Sequence, residues 1–196
     1  LDGGERRRVT RIISGLAGGR RLRVPPSGTR PTSDRVREAL FSALEARIDL
    51  EGCAVLDLFA GSGALGLEAL SRGAEHVVLV ESDAKAAAVI KANIGTVALP
   101  GATVRAAPVA AVVSGPSARE YDIVIADPPY AVTDEAVVSM LADLQANKWV
   151  GEGTIVVLER SSRSPETVWP QGYEPIKAKN YGEARIELAT CYGLDS

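Results

Sequence analysis

Strand-length apolar runs alternate with helix-length segments along most of the chain. The runs occupy residues 54–58, 77–80, 121–126 and 154–158, with a weaker one at 102–106. They are apolar almost throughout, as strands covered on both faces are. Between them, residues 64–72 and 83–94 read as helices stopped by Gly73 and Gly95, since glycine just past a helix end is the usual stop. A further helix starts at Thr133 and puts Val137, Leu141 and Leu144 on one face. Strands alternating with helices predict an α/β fold with a parallel sheet and right-handed crossovers. The end of the chain differs. Residues 173–179 and 184–192 bracket Tyr181 and Gly182, and Ile186, Leu188 and Thr190 alternate with Arg185, Glu187 and Ala189. That period of two predicts an antiparallel hairpin closing a mostly parallel, seven-stranded sheet.

The first forty residues follow another pattern. Two short β-prone runs within residues 9–24 flank Gly18 and Gly19, a hairpin signal. Residues 25–28 break the chain with two prolines, a serine and a glycine. A helix is expected after Pro31, with Thr32 as N-cap, Asp34 in the first turn and Val36, Leu40, Ala43 and Leu44 as its buried stripe. A small N-terminal basic hairpin over residues 1–30 therefore precedes a main domain over 31–196.

Charge changes the picture of that arm. The net charge is −3, which on its own argues against a polyanionic partner. Residues 1–37, however, hold ten arginines and no lysine against three acids, a balance of +7, and the remainder carries −10. A basic arm on an acidic body points to nucleic acid. Arginine's planar fork can grip phosphate by two hydrogen bonds and stack on bases. Arg11, Arg20, Arg21, Arg23, Arg30, Arg35 and Arg37, with Thr32, are the candidate nucleic-acid contacts.

Other counts exclude chemistries. His76 is the single histidine and lies in an apolar run, so it reads as structural. A Ser-His-Asp triad would have to use it, and a zinc site would need closely spaced cysteines as well. Only Cys53 and Cys191 are present, far apart, so no metal is expected and a reducing, cytoplasmic setting is. There is no run of about 18 apolar residues and no leader pattern, 196 residues suit one compact domain, and a monomer is expected, though length does not fix it.

Two motifs carry the candidate chemistry. Residues 57–66 read DLFAGSGALG directly after a predicted strand, so Gly61, Gly63 and Gly66 spell G-x-G-x-x-G, and Glu81 ends the next strand 20 residues after Gly61. That is a dinucleotide-type fingerprint with an acid for ribose hydroxyls. A nicotinamide cofactor stays open on this pattern. Asp57, four residues before Gly61, argues otherwise. A carboxylate facing the ligand's centre repels a pyrophosphate and attracts the ammonium and sulfonium of S-adenosylmethionine. The loop residues Asp57, Phe59, Ala60, Gly61, Ser62 and Gly63, with Glu81 and Ser82, are the candidate cofactor contacts.

The second motif is Asp127, Pro128, Pro129 and Tyr130, at the carboxyl end of the strand over 121–126, the edge where open α/β sheets bind ligands. Two prolines fix a rigid turn. It can aim the Asp127 carboxylate and the Pro128 carbonyl at one exocyclic amine, while Tyr130 stacks on the base. Methyl transfer then rests on positioning and asks for neither metal nor imidazole.

With these residues in hand, the sequence resembles class I S-adenosylmethionine-dependent methyltransferases that act on amines. It is similar in particular to the small-subunit ribosomal RNA methyltransferase D family. The resemblance is carried by residues 10–15 (TRIISG), 30–41 (RPTSDRVREALF), 57–73 (DLFAGSGALGLEALSRG) and 127–130 (DPPY), and spans about residues 9–192. It implies a Rossmann-like sheet with a reversed last strand and methylation of a guanine N2 amine in 16S rRNA of the small ribosomal subunit, leaving S-adenosylhomocysteine. Asp57, Phe59, Gly61 and Gly63 would hold the methionine and ribose end, Glu81 the ribose, and Asp127 to Tyr130 the guanine. The chain departs from the wider superfamily after the third strand, where an acid that meets adenine is replaced by residues 105–108 (RAAP). Backbone contacts are expected there instead. The alternative enzyme is a DNA adenine-N6 or cytosine-N4 methyltransferase, though no segment is long enough for a separate DNA-recognition domain. A non-catalytic RNA-binding factor is a further alternative, disfavoured by the intact Asp127 and Tyr130.

Overall fold

The computed structural model describes residues 9–26 and 32–194. Two short strands, β1 (Val9–Arg11) and β2 (Arg21–Arg23), pair antiparallel, with Thr10 opposite Leu22. Helix α1 (Asp34–Glu45) leads into the alternating part: β3 (Ala54–Leu58), α2 (Ala64–Ser71), β4 (His76–Glu81), α3 (Ala84–Val97), β5 (Ala102–Ala106), α4 (Val109–Val113), β6 (Tyr121–Ala126), α5 (Asp134–Ala146) and β7 (Val150–Ser161). The chain ends in β8 (Tyr173–Tyr181) and β9 (Ala184–Cys191).

The large sheet has seven strands in the order β5-β4-β3-β6-β7-β9-β8. β5 to β7 are parallel, and β9 runs antiparallel between β7 and β8. From β3 the chain steps outward to β4 and β5, then returns to the other side of β3 as β6. That reversal opens a crevice at the carboxyl ends of β3 and β6, where this class of sheet binds ligands. The exposed edge strand β8 carries Pro175, Lys177 and Lys179, which discourage pairing with another chain.

Alternate strand residues feed two cores. Val55, Val77, Ile123, Ile125, Ile155 and Val157 pack with α1, α2 and α3 on one face. Leu56, Val78, Val124, Ala126, Val156 and Leu158 pack with α4 and α5 on the other. The hairpin joins the first core through Ile12, Ala17 and Leu22, all essentially buried. Glu68 of α2 fastens it. This buried carboxylate accepts from the Ile13 and Ser14 amides at 2.8 and 3.1 Å and from Arg72 Nε at 2.9 Å. Ser71 adds a bond from its hydroxyl to the Ser14 carbonyl, and a Cβ at Gly15 (φ +87°) would collide with the Ser71 carbonyl.

Several expectations need correction. The N-cap of α1 is Ser33, whose Oγ accepts from the Val36 amide at 3.3 Å, and Thr32 faces the site instead. Helix α3 runs through Gly95 to a left-handed cap at Ala98, because Val97 still reaches the core. The short helix α4 gave no recognisable period. On β9, Arg185 and Glu187 are as buried as their apolar neighbours, since β9 is interior and covered on both faces. They bind the segment after β7: Arg185 donates to the carbonyls of Ser164 and Pro165, both at 2.7 Å, and Glu187 accepts from Thr167. Both cysteines are free and buried. No helix among the described residues is long and apolar enough to cross a membrane.

Candidate active site

Three carboxylates converge on one face of the sheet at the carboxyl ends of adjacent strands. In the β3–β6 register Asp57 lies opposite Ile125. Ala126 lies opposite Leu158, so the next residues, Asp127 and Glu159, stand side by side. All three share the parity of the strand residues that pack under α1 and α2.

The glycine loop is held by its own backbone. Ala60 donates to the Val80 carbonyl, and Phe59 turns the chain through a left-handed conformation (φ +59°) rare outside glycine. Such strain concentrates at functional sites. The Asp57 carboxylate accepts from the Gly66 amide at 2.8 Å at the start of α2. A Cβ at Gly66 would stand 3.0 Å from Asp57 Oδ2 and 2.9 Å from a Leu79 methyl, so only glycine lets strand and helix approach this closely. Glu81 is pinned likewise: Oε1 accepts from Gly61 at 2.9 Å and Oε2 from Asp83 at 2.8 Å. A cleft of about 350 Å³ lies over this loop, lined among others by Asp57, Phe59, Gly61, Glu81, Ser82 and Pro129. Ala60 and Ser62 line it too. Gly63 caps α2 in the left-handed region just beneath.

Asp57 is almost completely buried, and burial pushes its carboxyl up to about 7, against the Gly66 hydrogen bond and with a push from Glu81. An acid so placed gains by meeting a cation. Among the described residues no three metal-ligating side chains converge closely enough to hold an ion.

Asp127 belongs to this cleft and to a second, wider one of about 1020 Å³, with Pro128, Tyr130, Thr32, Glu159 and Ser164 on its walls. Burial raises the Asp127 carboxyl well above the usual range, the charges of Glu159 and Asp57 raise it further, and Arg160 opposes them. Arg160 also holds the motif's loop, donating to the Val132 carbonyl and, at 2.7 Å, to Asp134. Pro128 is buried, and Tyr130 is 78% exposed at the cleft mouth.

Two site residues lie outside the motifs. Glu159 is raised by burial, with the Thr32 hydroxyl donating to Oε2 at 3.0 Å and pulling the other way. An acid just past the apolar run at 154–158, as Asp127 is just past the run at 121–126, was the available signal. Asn93, buried on α3, accepts from the Arg23 amide and donates to the carbonyls of Arg23 and Ser62, tying the hairpin to the glycine loop. A polar residue one turn beyond buried Ile90 was its only trace.

The arginines divide. Arg37 is corrected as an RNA contact: it is fully buried, bonded to Thr10 Oγ1 at 3.0 Å and Asp34 at 2.7 Å, with Glu68 3.8 Å away. Arg20 is exposed but donates to the Val97 carbonyl at the end of α3, and Arg11 pairs with Asp34. Arg21, Arg23 and Arg35 are exposed and make no ion pair among the described residues. Arg30 lies outside the described residues. Arg105 of β5 lies toward Trp149, its guanidinium 5.9 Å from the ring centre, and lines neither cleft.

Residues 10–190 match the model of the family described as conserved hypothetical protein 95. The chain belongs to that family. Within this Cons_hypoth95 family it is 34% identical over 183 residues to ribosomal RNA small subunit methyltransferase D of Haemophilus influenzae, covering 91% of this chain and 92% of that one. It is 35% identical to the protein of the same name from Escherichia coli, over 91% and 88% of the two chains. The solved Escherichia coli chain yhhF superposes with a TM-score of 0.86 at 30% identity, over 95% of this chain and all of that one. Its neighbours establish the Rossmann-like methyltransferase fold for this Cons_hypoth95 member.

Proposed function

We propose that this protein transfers a methyl group from S-adenosylmethionine to the exocyclic N2 amine of a guanine in 16S rRNA of the small ribosomal subunit. The observation that carries the reading is the double membership of Asp127. One carboxylate faces both the cleft over the glycine loop and the wide cleft beyond, so a donor in the first and an amine in the second meet at it. The relatives named for rRNA methylation support the substrate class.

The smaller cleft suits the cofactor chemically. Its volume is in the range of small-molecule sites, and it offers carboxylates where cationic and hydroxyl groups need partners. When bound, S-adenosylmethionine supplies an electrophilic methyl on a sulfonium. Asp57 would face its positive charge and Glu81 its ribose hydroxyls. The Asp127 carboxylate and Pro128 carbonyl accept the two N–H bonds of the target amine, turning its lone pair out of the ring plane toward the methyl. The amine would take the methyl that the bound sulfonium supplies, with S-adenosylhomocysteine as the leaving group, and Asp127, whose proton affinity is raised, would receive the amine's surplus proton. Tyr130 stacks on the splayed base. Extruding that base costs a few kcal/mol, which phosphate contacts of the basic hairpin offset. The proposed units are the hairpin over 1–30 and a methyltransferase domain over 31–196, acting as a cytoplasmic monomer.

Mass spectrometry of 16S rRNA from cells with and without the protein tests the reading. One N2-methylguanosine is expected to vanish on deletion. An unchanged nucleoside map overturns it.

A further inference from the structure

Glu159 has no part in the motif chemistry, yet it stands beside Asp127 on the same face and wall. In the β6–β7 register the two follow directly on the paired residues Ala126 and Leu158. Adjacent strands lie about 4.8 Å apart, so two acceptors at this edge can serve neighbouring donors on one base. Thr32 occupies Oε2 of Glu159, and no donor among the described residues takes Oε1. Burial raises the Glu159 carboxyl, and the Thr32 bond works against that shift. A carboxylate oxygen is thus left open toward the wide cleft that Pro128 and Tyr130 also line.

Guanine is the base whose amine sits beside a ring N–H. Adenine and cytosine present a ring lone pair next to theirs. We infer that Glu159 is the specificity-determining residue of this site and accepts the ring N1–H of the target guanine, while Asp127 and the Pro128 carbonyl hold its N2 amine. The inference rests on the guanine-N2 reading and deepens it. A carboxylate aimed at a lone pair repels it and leaves both acceptors unpaired, so adenine and cytosine are turned away by the same oxygen that welcomes guanine. Thr32 fixes the rotamer, which gives that residue a task beside the base rather than on the phosphate backbone.

The test uses small-subunit particles reconstituted with RNA in which the methylated guanosine is replaced by 2-aminopurine riboside. This base keeps the exocyclic amine and carries a lone pair in place of N1–H. Radiolabelled methyl transfer is measured for the wild-type protein and for Glu159→Gln, whose amide can donate to that lone pair. The wild type is expected to favour guanine by about 100-fold in kcat/KM, and Glu159→Gln to narrow that ratio at least about tenfold. Equal losses on both bases would mean a merely structural role and overturn the inference. If the variant does not fold, the wild-type ratio still decides, and equal transfer to both bases overturns it. Absence of any N2-methylguanosine on unmodified particles is a separate outcome, which overturns the guanine-N2 reading and this inference with it.

Discussion

On one side of Asp127 the backbone of the glycine loop, the start of α2 and the turn after β4 satisfies the carboxylates of β3 and β4. Gly66, Gly61 and Asp83 amides donate to Asp57 and Glu81, and the acids are fixed before any ligand arrives. On the other side Thr32, Asp127, Glu159 and Ser164 arrive from distant parts of the chain, and acceptors there remain open. The first cleft is a local device. A strand, three glycines and a helix N-terminus form its floor within ten residues, and the end of the next strand adds Glu81 and Ser82. The second is assembled by tertiary packing. Its cost is a set of crowded carboxylates, and its gain is a wall of acceptors that an amine donor can satisfy.

Asp127 joins the two sides, so removing it is the sharpest break. Asp127→Ala is expected to lower methyl transfer by about 1,000-fold while S-adenosylmethionine affinity changes little. Radiolabelled transfer and isothermal titration measure the two. Equal losses in both would erase the division between the clefts.

Arg37 tests the tertiary half. It is the buried clamp between the hairpin, Asp34 of α1 and Glu68 of α2. Removing it strips buried Glu68 of one of its two cationic neighbours and the Thr10 hydroxyl of its donor. Arg37→Ala should therefore cost about 3 kcal/mol of stability in chemical denaturation. An RNA-binding loss with unchanged stability would restore the surface role that its burial denies.

The difference between the clefts is also a difference in legibility. The strands at 54–58, 102–106 and 121–126 have the predicted limits, and the glycine loop and the DPPY turn are local patterns. Their geometry follows from a few neighbouring residues. Glu159 and Asn93 left only faint traces because each matters through partners far away in sequence: Thr32 and Asp127 for one, Arg23 and Ser62 for the other. Arg37 misled for the same reason. Among ten arginines nothing in the sequence distinguishes the one that Glu68 awaits, thirty-one residues later. Likewise the alternation on β9 was read correctly as a strand, but whether its polar face meets water depends on the segment after β7, which Arg185 and Glu187 bind.

A pH titration probes the cofactor side. With its carboxyl near 7, free Asp57 holds a proton below that value and must lose it to meet a cation. S-adenosylmethionine affinity should rise about tenfold per unit as pH climbs toward 7 and level off above. Stability runs the other way. Between the ordinary value of 3.8 and about 7 the native state holds a proton that the unfolded chain has lost. Stability of the free protein therefore falls across that window as pH rises. Asp57→Asn should flatten both profiles, and a slope that persists in the variant would assign the proton elsewhere.

The smallest effect concerns the hairpin's outer face. Leu22 faces the core while Arg21 and Arg23 alternate outward, so the strand that anchors the hairpin also displays its charge. Each arginine that neutralises a phosphate releases condensed counterions, and the slope of log affinity against log salt counts them. The double substitution Arg21→Ala, Arg23→Ala should reduce that slope by about 2 with melting temperature unchanged. Filter binding of ribosomal RNA across a salt series measures it. The contrast with Arg37→Ala is the point of the experiment: neighbours in one basic arm should separate cleanly into a stability residue and two salt-dependent contacts. An unchanged slope would move the RNA surface off the hairpin, leaving Arg35 and the mouth around Tyr130 to carry it.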